Sequence, residues 1–445
     1  MKLRLPPSSA RSLVGRLITA GLDAADPYRA LLNSVSLQRQ SLRVGQRLYD
    51  LSRIDRVIAV GAGKASARMA QALEKVLGKR VADGLVIVKT GHTLPTKRIA
   101  IREASHPIPD RSGVHATQQL LRLTKDLGPR DLLFVLLSGG ASSLLPAPVP
   151  GVTLTDKQRT TRLLLRSGAT INEINVVRKH LSVIKGGGLA TCTHARIVTL
   201  ILSDVIGDDL GSIGSGPTVA DLSTFADAVN VLKRYRIWRS VPTAVRRYLE
   251  LGQKGIVPET LKPGSQRVRS VHHQIIGANR FMLEAVSRTA GSLSLRTILF
   301  STPILGEARL AARQLTSIAK ANADGHTMVK RPCCVVAGGE TTVTVTGKGT
   351  GGRAQEFAAA AACEIAGLPS TWVVALGSDG SDGPTDAAGA IVNGETIARA
   401  KRLNINLRSA VNRHDTYPAL KSLGCHIYTG PTGTNVNDLY LLLLL

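Results

Sequence analysis

Short apolar runs alternate with stretches in which apolar residues recur every third or fourth position, almost throughout the chain. Arg56–Val60 reads as a strand, and the helix after it carries Met69, Ala72, Leu73, Val76 and Leu77 on one face. Residues 83–89, 131–138 and 195–204 read as further strands. The run 131–138 is apolar on both faces, as in a covered parallel sheet. Helical spacing recurs around 116–127 and 172–184. This alternation predicts an α/β fold, with largely parallel or mixed sheets flanked by helices. Near the start, Leu13, Leu17, Ile18, Ala20 and Leu22 leave room for a polar face. They predict an amphipathic helix rather than the targeting segment that the early basic residues and serines mimic.

The periodicity weakens over 251–270, where Pro258, Pro263 and several glycines intervene. A second series then begins with strand-like runs at 272–279 and 295–300, and a helix from Glu307 to about Ala321. It continues through apolar runs at 333–340, 341–347 and 371–377, with a helix starting at Arg353. The tail 439–445 reads as a final buried strand. Two α/β domains are expected, 1–255 and 271–445, joined by a linker at 256–270 and enclosing a ligand cleft.

Composition narrows the function. The chain has 445 residues, room for two or three domains, and only 3% aromatic residues, so its core must be aliphatic and alanine-rich. Lys+Arg is 57 against Asp+Glu 31, a net charge of +26 that draws anionic ligands inward. The basic residues are dispersed and little aromatic surface is available for base stacking, which argues against nucleic acid. Five cysteines, an odd number without C-x-x-C spacing, argue against a disulfide framework or structural zinc and for a reducing, cytoplasmic setting. No run approaches the roughly 20 apolar residues of a membrane span.

In α/β sheets ligands bind beyond the carboxyl ends of the strands. The first strand is followed by Gly61-Ala62-Gly63-Lys64-Ala65-Ser66. A P-loop needs Ser or Thr after the lysine and a glycine five residues before Gly63; here stand Ala65 and Ile58. The dinucleotide fingerprint fits at Gly61, Gly63 and the small Ser66, but the next strand ends in Lys89 instead of an acid. The turn alone leaves NAD, ATP and a bare tight turn open. Lys64, at a helix N-terminus, is suited to a phosphate or a carboxylate, or to solvent.

The other strand ends are equally polar. Ser138, Gly139, Gly140, Ser142 and Ser143 offer consecutive N–H groups and hydroxyls, a phosphate nest or a capped strand–helix turn. Lys185 precedes Gly186 and Gly187, as an anion ligand or as the end of a helix with its glycine cap. Asp204 and Asp208 follow the fourth strand, and Asp379, Asp382 and Asp386 follow residues 371–377. These acids suit Mg²⁺, a proton acceptor, or bonds to their own turns. Arg353 opens a helix after Gly351-Gly352 and is placed to clamp a carboxylate or a transferring phosphoryl group. No G-x-S-x-G elbow with a histidine partner stands out, and no histidine cluster has metal spacing.

The segments VGAGKAS, SHPIPD, LLSGGASSLLPAP, INEINVVRKHLSVIKGGGLA, LILSDVIGDDLGSIGSGPTVAD, GGRAQEFA, GSDGSDGPTDAAGA and GPTGTNVNDL occur in that order over nearly the whole chain. Together they resemble the glycerate 2-kinase family, whose C-terminal part is the MOFRL domain, here about residues 331–440. The resemblance implies ATP-dependent phosphorylation of D-glycerate to 2-phosphoglycerate with Mg²⁺, by two α/β domains around a cleft. It implies catalytic roles for Lys64, Arg353 and Asp379. The 138–143 turn with Lys185, Gly186 and Gly187 would cradle ATP; for the metal the strand-end acids Asp204 and Asp208 are the expected ligands, with Asp379 also open. A homo-oligomer is compatible with it. Some members carry the name of a hydroxypyruvate reductase, so NAD(P)H-dependent reduction is the alternative. One departure is Ala354, where the family usually has Asn.

Overall fold

The computed structural model describes residues 3–326 and 329–445. The amphipathic helix expected near the start is α1 (Arg11–Ala24), with Val14, Leu17, Ile18 and Leu22 buried. The chain divides into two compact units. One is Pro27–Ile276; the other combines the segment up to Asp26 with Gly277–Leu445.

The first unit is built on six strands: β1 (Val57–Ala62), β2 (Val81–Lys89), β3 (Ile99–Ala104), β4 (Leu132–Leu137), β5 (Arg196–Leu202) and β6 (Val271–Gly277). Their order is β3-β2-β1-β4-β5-β6. The pairs β1–β2, β2–β3, β1–β4 and β4–β5 are all parallel. Every residue of β1 and β4 is buried, as the unbroken apolar runs require when helices cover the sheet. The chain order reverses between β1 and β4, a switch point where strand ends diverge and leave a crevice. Helix α2 (Ser66–Leu77) follows β1, and α3 (Arg111–Lys125) precedes β4. Helices α4 (Leu154–Arg166) and α5 (Ile171–His180) start on capping boxes, Thr153 with Asp156 and Thr170 with Glu173. Their apolar faces bury Leu164, Ile174 and Val177 in one cluster with Phe225 and Leu232. An antiparallel sheet of 35–38, 41–44 and 47–50 is a feature the periodicity did not predict.

The second unit holds a mixed sheet of seven strands: β7 (Arg296–Leu299), β8 (Ile304–Glu307), β9 (Cys333–Thr342), β10 (Thr371–Gly377), β11 (Gly389–Asn393), β12 (His426–Ile427) and β13 (Asp438–Leu444). The order is β7-β9-β13-β10-β11-β12, and β8 also pairs with β9. β13 lies between β9 and β10 and runs antiparallel to both. Helices α6 (Asn279–Ser292), α7 (Ala308–Ala323) and α8 (Arg353–Glu364) pack on it. In α8, Ala358, Ala359 and Ala361 are wholly buried, and Phe357 stacks on Tyr440 with ring centroids 4.3 Å apart. An alanine-rich face lets this helix lie close to the sheet, which suits a core short of aromatic residues.

Two expected boundaries are corrected. The N-terminal helix does not belong to the first domain: α1 packs on α6, and a Cβ at Gly21 would lie 2.8 Å from Val286 Cγ2. Residues 256–270 are not a free linker either. Leu261 is in the core of the first unit, its N–H donates to Gly186 O at 3.0 Å, and residues 271–276 continue the sheet as β6. The expected strand at 341–347 contributes only Thr341 and Thr342, at the end of β9. All five cysteines are free, and no helix among the described residues is long and apolar enough to cross a membrane.

Candidate active site

The turn after β1 meets the turn after β4 at the switch point. Gly63 has φ +141°, and a Cβ there would sit 2.1 Å from Ser138 Oγ, so only glycine fits. The Lys64 N–H donates to Gly139 O at 2.9 Å, and the Ala65 N–H to Ser138 Oγ at 3.0 Å. These bonds fix Lys64 at the mouth of the crevice, half-buried, just before α2. Its ammonium has no carboxylate partner among the described residues.

Lys64 is beside Gly140 and His106. A Cβ built on Gly140, which has φ +86°, would lie 3.6 Å from Lys64 Cγ and 3.0 Å from His106 Nε2. Burial, and then the charges of Lys64, Lys89 and His92, push His106 down to about 4, so its ring is neutral at pH 7. Lys89, which displaced the expected acid at the end of β2, thus belongs to a positive cluster. His106 was missed as a site residue, although its segment Ser105–Asp110 was among the motifs. A histidine surrounded by cations is a tertiary fact.

The serines of the β4 turn are occupied within the protein. Ser138 is buried and its hydroxyl also bonds Ser66 Oγ at 3.0 Å; Ser142 Oγ bonds Ser215 Oγ at 2.7 Å; Ser143 Oγ donates to Gly140 O at 3.1 Å. Lys185 is 3% exposed and donates to Ser142 O at 2.7 Å, Ser142 Oγ at 3.3 Å and Gly214 O at 3.4 Å. The Gly186 and Gly187 N–H groups donate to Ser215 O and Gly216 O, at 3.0 and 2.7 Å. The expected phosphate cradle at Gly186 and Gly187 is therefore corrected. Their N–H groups brace the neighbouring loop, and Lys185 is the strut that holds it to the β4 turn.

Asp204 is against the same turn: a Cβ on Gly139 would fall 2.2 Å from its Oδ2. Asp208 follows with φ +54° in the turn after β5. No group of three or more His, Cys, Asp or Glu side chains that suits a metal occurs among the described residues. A Mg²⁺ arriving with a nucleotide needs less, because one or two carboxylates and phosphate oxygens commonly hold it. Asp204, a carboxylate at the switch point, fits that smaller demand.

In the second unit, three strand ends share one edge of the sheet, those of β9 and β10 and the start of β13. Arg353 meets them from the N-terminus of α8. Its Nε and Nη2 donate to the two oxygens of Asp438 at 2.7 and 3.0 Å, and Nη1 donates to Glu340 Oε1 at 2.7 Å. Three of its five N–H donors are thus committed and two remain. Burial raises Asp438 to about 6 against the opposing pull of Arg353. Tyr440 OH, itself bonded to Thr341 Oγ1, donates to Asp438 Oδ2 at 2.9 Å.

The three acids after β10 separate by role. Asp379 is half-buried, with Oδ1 accepting from the Ser381 N–H at 3.1 Å. Asp382 is 3% exposed and accepts the N–H groups of Ala354 and Gln355 at 3.1 and 2.8 Å, so it caps α8 from outside the helix. Asp386 accepts from Tyr417 OH at 2.7 Å. The Ala354 methyl is fully buried in the core, which explains why its polar replacement is unnecessary for the cap: Asp382 provides it.

Comparison with known proteins identifies the family. Residues 13–250 match a family described as a domain of unknown function, DUF4147, and residues 333–438 match the MOFRL family. A glycerate 2-kinase of Pyrococcus horikoshii is 41% identical over 425 residues, 95% of this chain and 95% of that one. A relative from Agrobacterium vitis, provisionally named a hydroxypyruvate reductase, is 39% identical over 98% of this chain and 95% of its own. A crystal structure of glycerate kinase from Thermotoga maritima matches with a TM-score of 0.89 at 38% identity, covering 99% of this chain and 100% of that one.

Proposed function

We propose, from the premise that the chain belongs to the glycerate 2-kinase family, that it transfers a phosphoryl group from MgATP to the 2-hydroxyl of D-glycerate. The products are 2-phospho-D-glycerate and ADP. The observation that carries this reading is Lys64: an ammonium without a carboxylate partner, fixed by its own backbone at the switch point, beside a histidine kept neutral.

Phosphoryl transfer asks a protein mainly for positioning and charge neutralisation. Lys64 supplies a fixed positive charge to the transferring phosphoryl group. Neutral His106 adds a hydrogen-bonding edge beside it. Asp204, with Asp208, would hold a Mg²⁺ that enters with ATP, and the ion would supply screening of the phosphate charge. Asp379 has one oxygen held by the Ser381 N–H; the other accepts the proton of the 2-hydroxyl as that oxygen bonds to phosphorus and ADP departs. The two uncommitted N–H donors of Arg353 bind the glycerate carboxylate, with Asp438 and Glu340 holding the guanidinium plane. We place the reaction in the cytoplasm, in keeping with five free thiols.

The competing reading is reduction of hydroxypyruvate by NAD(P)H. Lys89 at the end of β2 opposes it, because an acid for the ribose hydroxyls belongs there. Two assays on the full chain separate the readings. With D-glycerate and MgATP, ADP should form, and the product should be consumed directly by enolase, which accepts 2-phosphoglycerate and not the 3-isomer. NADH oxidation with hydroxypyruvate, in the absence of ADP formation from glycerate, would reverse the assignment.

A further inference from the structure

Helix α4 brings a lysine to a place where a lysine has no structural reason to be. The ammonium nitrogen of Lys157, in the first turn of α4, is buried and makes no hydrogen bond. Arg178, on the packed neighbour α5, is half-buried, and its guanidinium has no hydrogen-bond or ion-pair partner among the described residues. Lys185 follows α5, buried on its three acceptors. The three basic groups are within electrostatic reach of one another and no acid is among the groups acting on them; burial, and then their mutual repulsion, push Lys157 down to about 7 and Lys185 well below the ordinary lysine value. Burying an uncompensated charge is among the costliest things a fold can do, and three of one sign repel as well. An anion among them would remove both costs.

The neighbourhood says which anion. Lys185 is bonded to Ser142 in the turn after β4, and Ser142 bonds Ser215, whose hydroxyl donates to Asn175 Oδ1 at 3.2 Å. Gln158, next to Lys157, donates to Pro109 O at 2.7 Å and so ties α4 to the loop that carries His106. The cations therefore adjoin the turn after β4 and the loop of His106, the surroundings of Lys64. A carboxylate brings one negative charge; a polyphosphate chain brings several, in keeping with three cations.

We propose that Lys157, Arg178 and Lys185 form a second phosphate subsite, which binds the polyphosphate chain of the nucleotide. The proposal rests on the kinase reading, and it assigns nucleotide contacts to two residues on helices outside the glycine-rich turns.

The test is calorimetric binding of inorganic tripolyphosphate to the full chain, beside KM values for ATP and D-glycerate. Lys157→Met and Arg178→Gln should each weaken tripolyphosphate binding and raise KM for ATP by about tenfold or more. The loss should fall on these ligands and spare D-glycerate. Lys157→Met should also unfold at no lower urea concentration than wild type, because it replaces a buried charge by an apolar chain of similar size. Arg178→Gln decides the matter by itself if Lys157→Met fails to fold. Unchanged tripolyphosphate binding in Arg178→Gln overturns the subsite, as does a loss confined to D-glycerate. If tripolyphosphate binds through these residues yet no ADP forms from glycerate and ATP, the subsite stands and the kinase reading falls.

Discussion

Lys64 makes the plainest residue-level prediction. Lys64→Met keeps much of the stem and removes the charge, so kcat should fall roughly 10²–10³-fold, the scale of losing one preorganised electrostatic contact. Steady-state kinetics check this, and a variant within threefold of wild type removes Lys64 from the chemistry. Asp438 makes a prediction about pH. Its carboxyl is raised from the ordinary 3.8 to about 6, chiefly by burial. Below that value it is protonated and its hold on Arg353 weakens, so kcat/KM for glycerate should fall as pH drops through about 6. The stability contribution runs the other way: it is fully present below 3.8 and is lost as pH rises through about 6, because the folded state binds the extra proton. Asp438→Asn should lower activity at all pH values and abolish that acid limb. A pH profile whose limb survives the substitution would assign it to another group. The sequence carried Lys64 this far because a lysine directly after a strand and before a helix has few places to be. It did not separate Asp379 from Asp382, since three acids in one turn look alike until the N-terminus of α8 selects one.

At the scale of elements, the helices that bear the site are held by contacts distant in sequence. Helix α8 begins at Gly352 without a side-chain cap of its own, and Asp382, beyond β10, accepts its first N–H groups. Asp382→Ala should therefore cost about 1–3 kcal/mol, the range for a lost cap that leaves buried donors unpaired. Urea denaturation would measure it, and Asp386→Ala, which removes only an exposed bond to Tyr417, should cost much less. Strands were legible because both-face burial writes unbroken apolar runs, as in β1 and β4. The Lys185-Gly186-Gly187 segment was not, since cations before glycines describe a capped helix end and an anion site equally well. The bonds of the Gly186 and Gly187 N–H groups to Ser215 O and Gly216 O decided for a brace at the two glycines.

Across the whole molecule, charge and topology matter most. A net charge of +26 should speed capture of anionic substrates, so kcat/KM for MgATP should fall as salt rises from low to physiological ionic strength, with kcat nearly constant. Salt independence would show that the dispersed charge plays no steering part. The amphipathic stripe of α1 predicted a helix but not its host, because a stripe specifies a buried face without specifying what covers it. The same limit hid the place of β13: seven apolar residues announce a buried strand, yet nothing local says that it separates β9 from β10. That placement matters to a chain still emerging from the ribosome. Strands β9 and β10 are made first and do not pair with each other; both await β13. Until residue 444 has emerged, each presents an unpaired apolar edge, the surface on which nascent chains aggregate. The second unit therefore depends on protection during synthesis more than the first, whose parallel strands β1, β2 and β3 find their neighbours in the order in which they are translated.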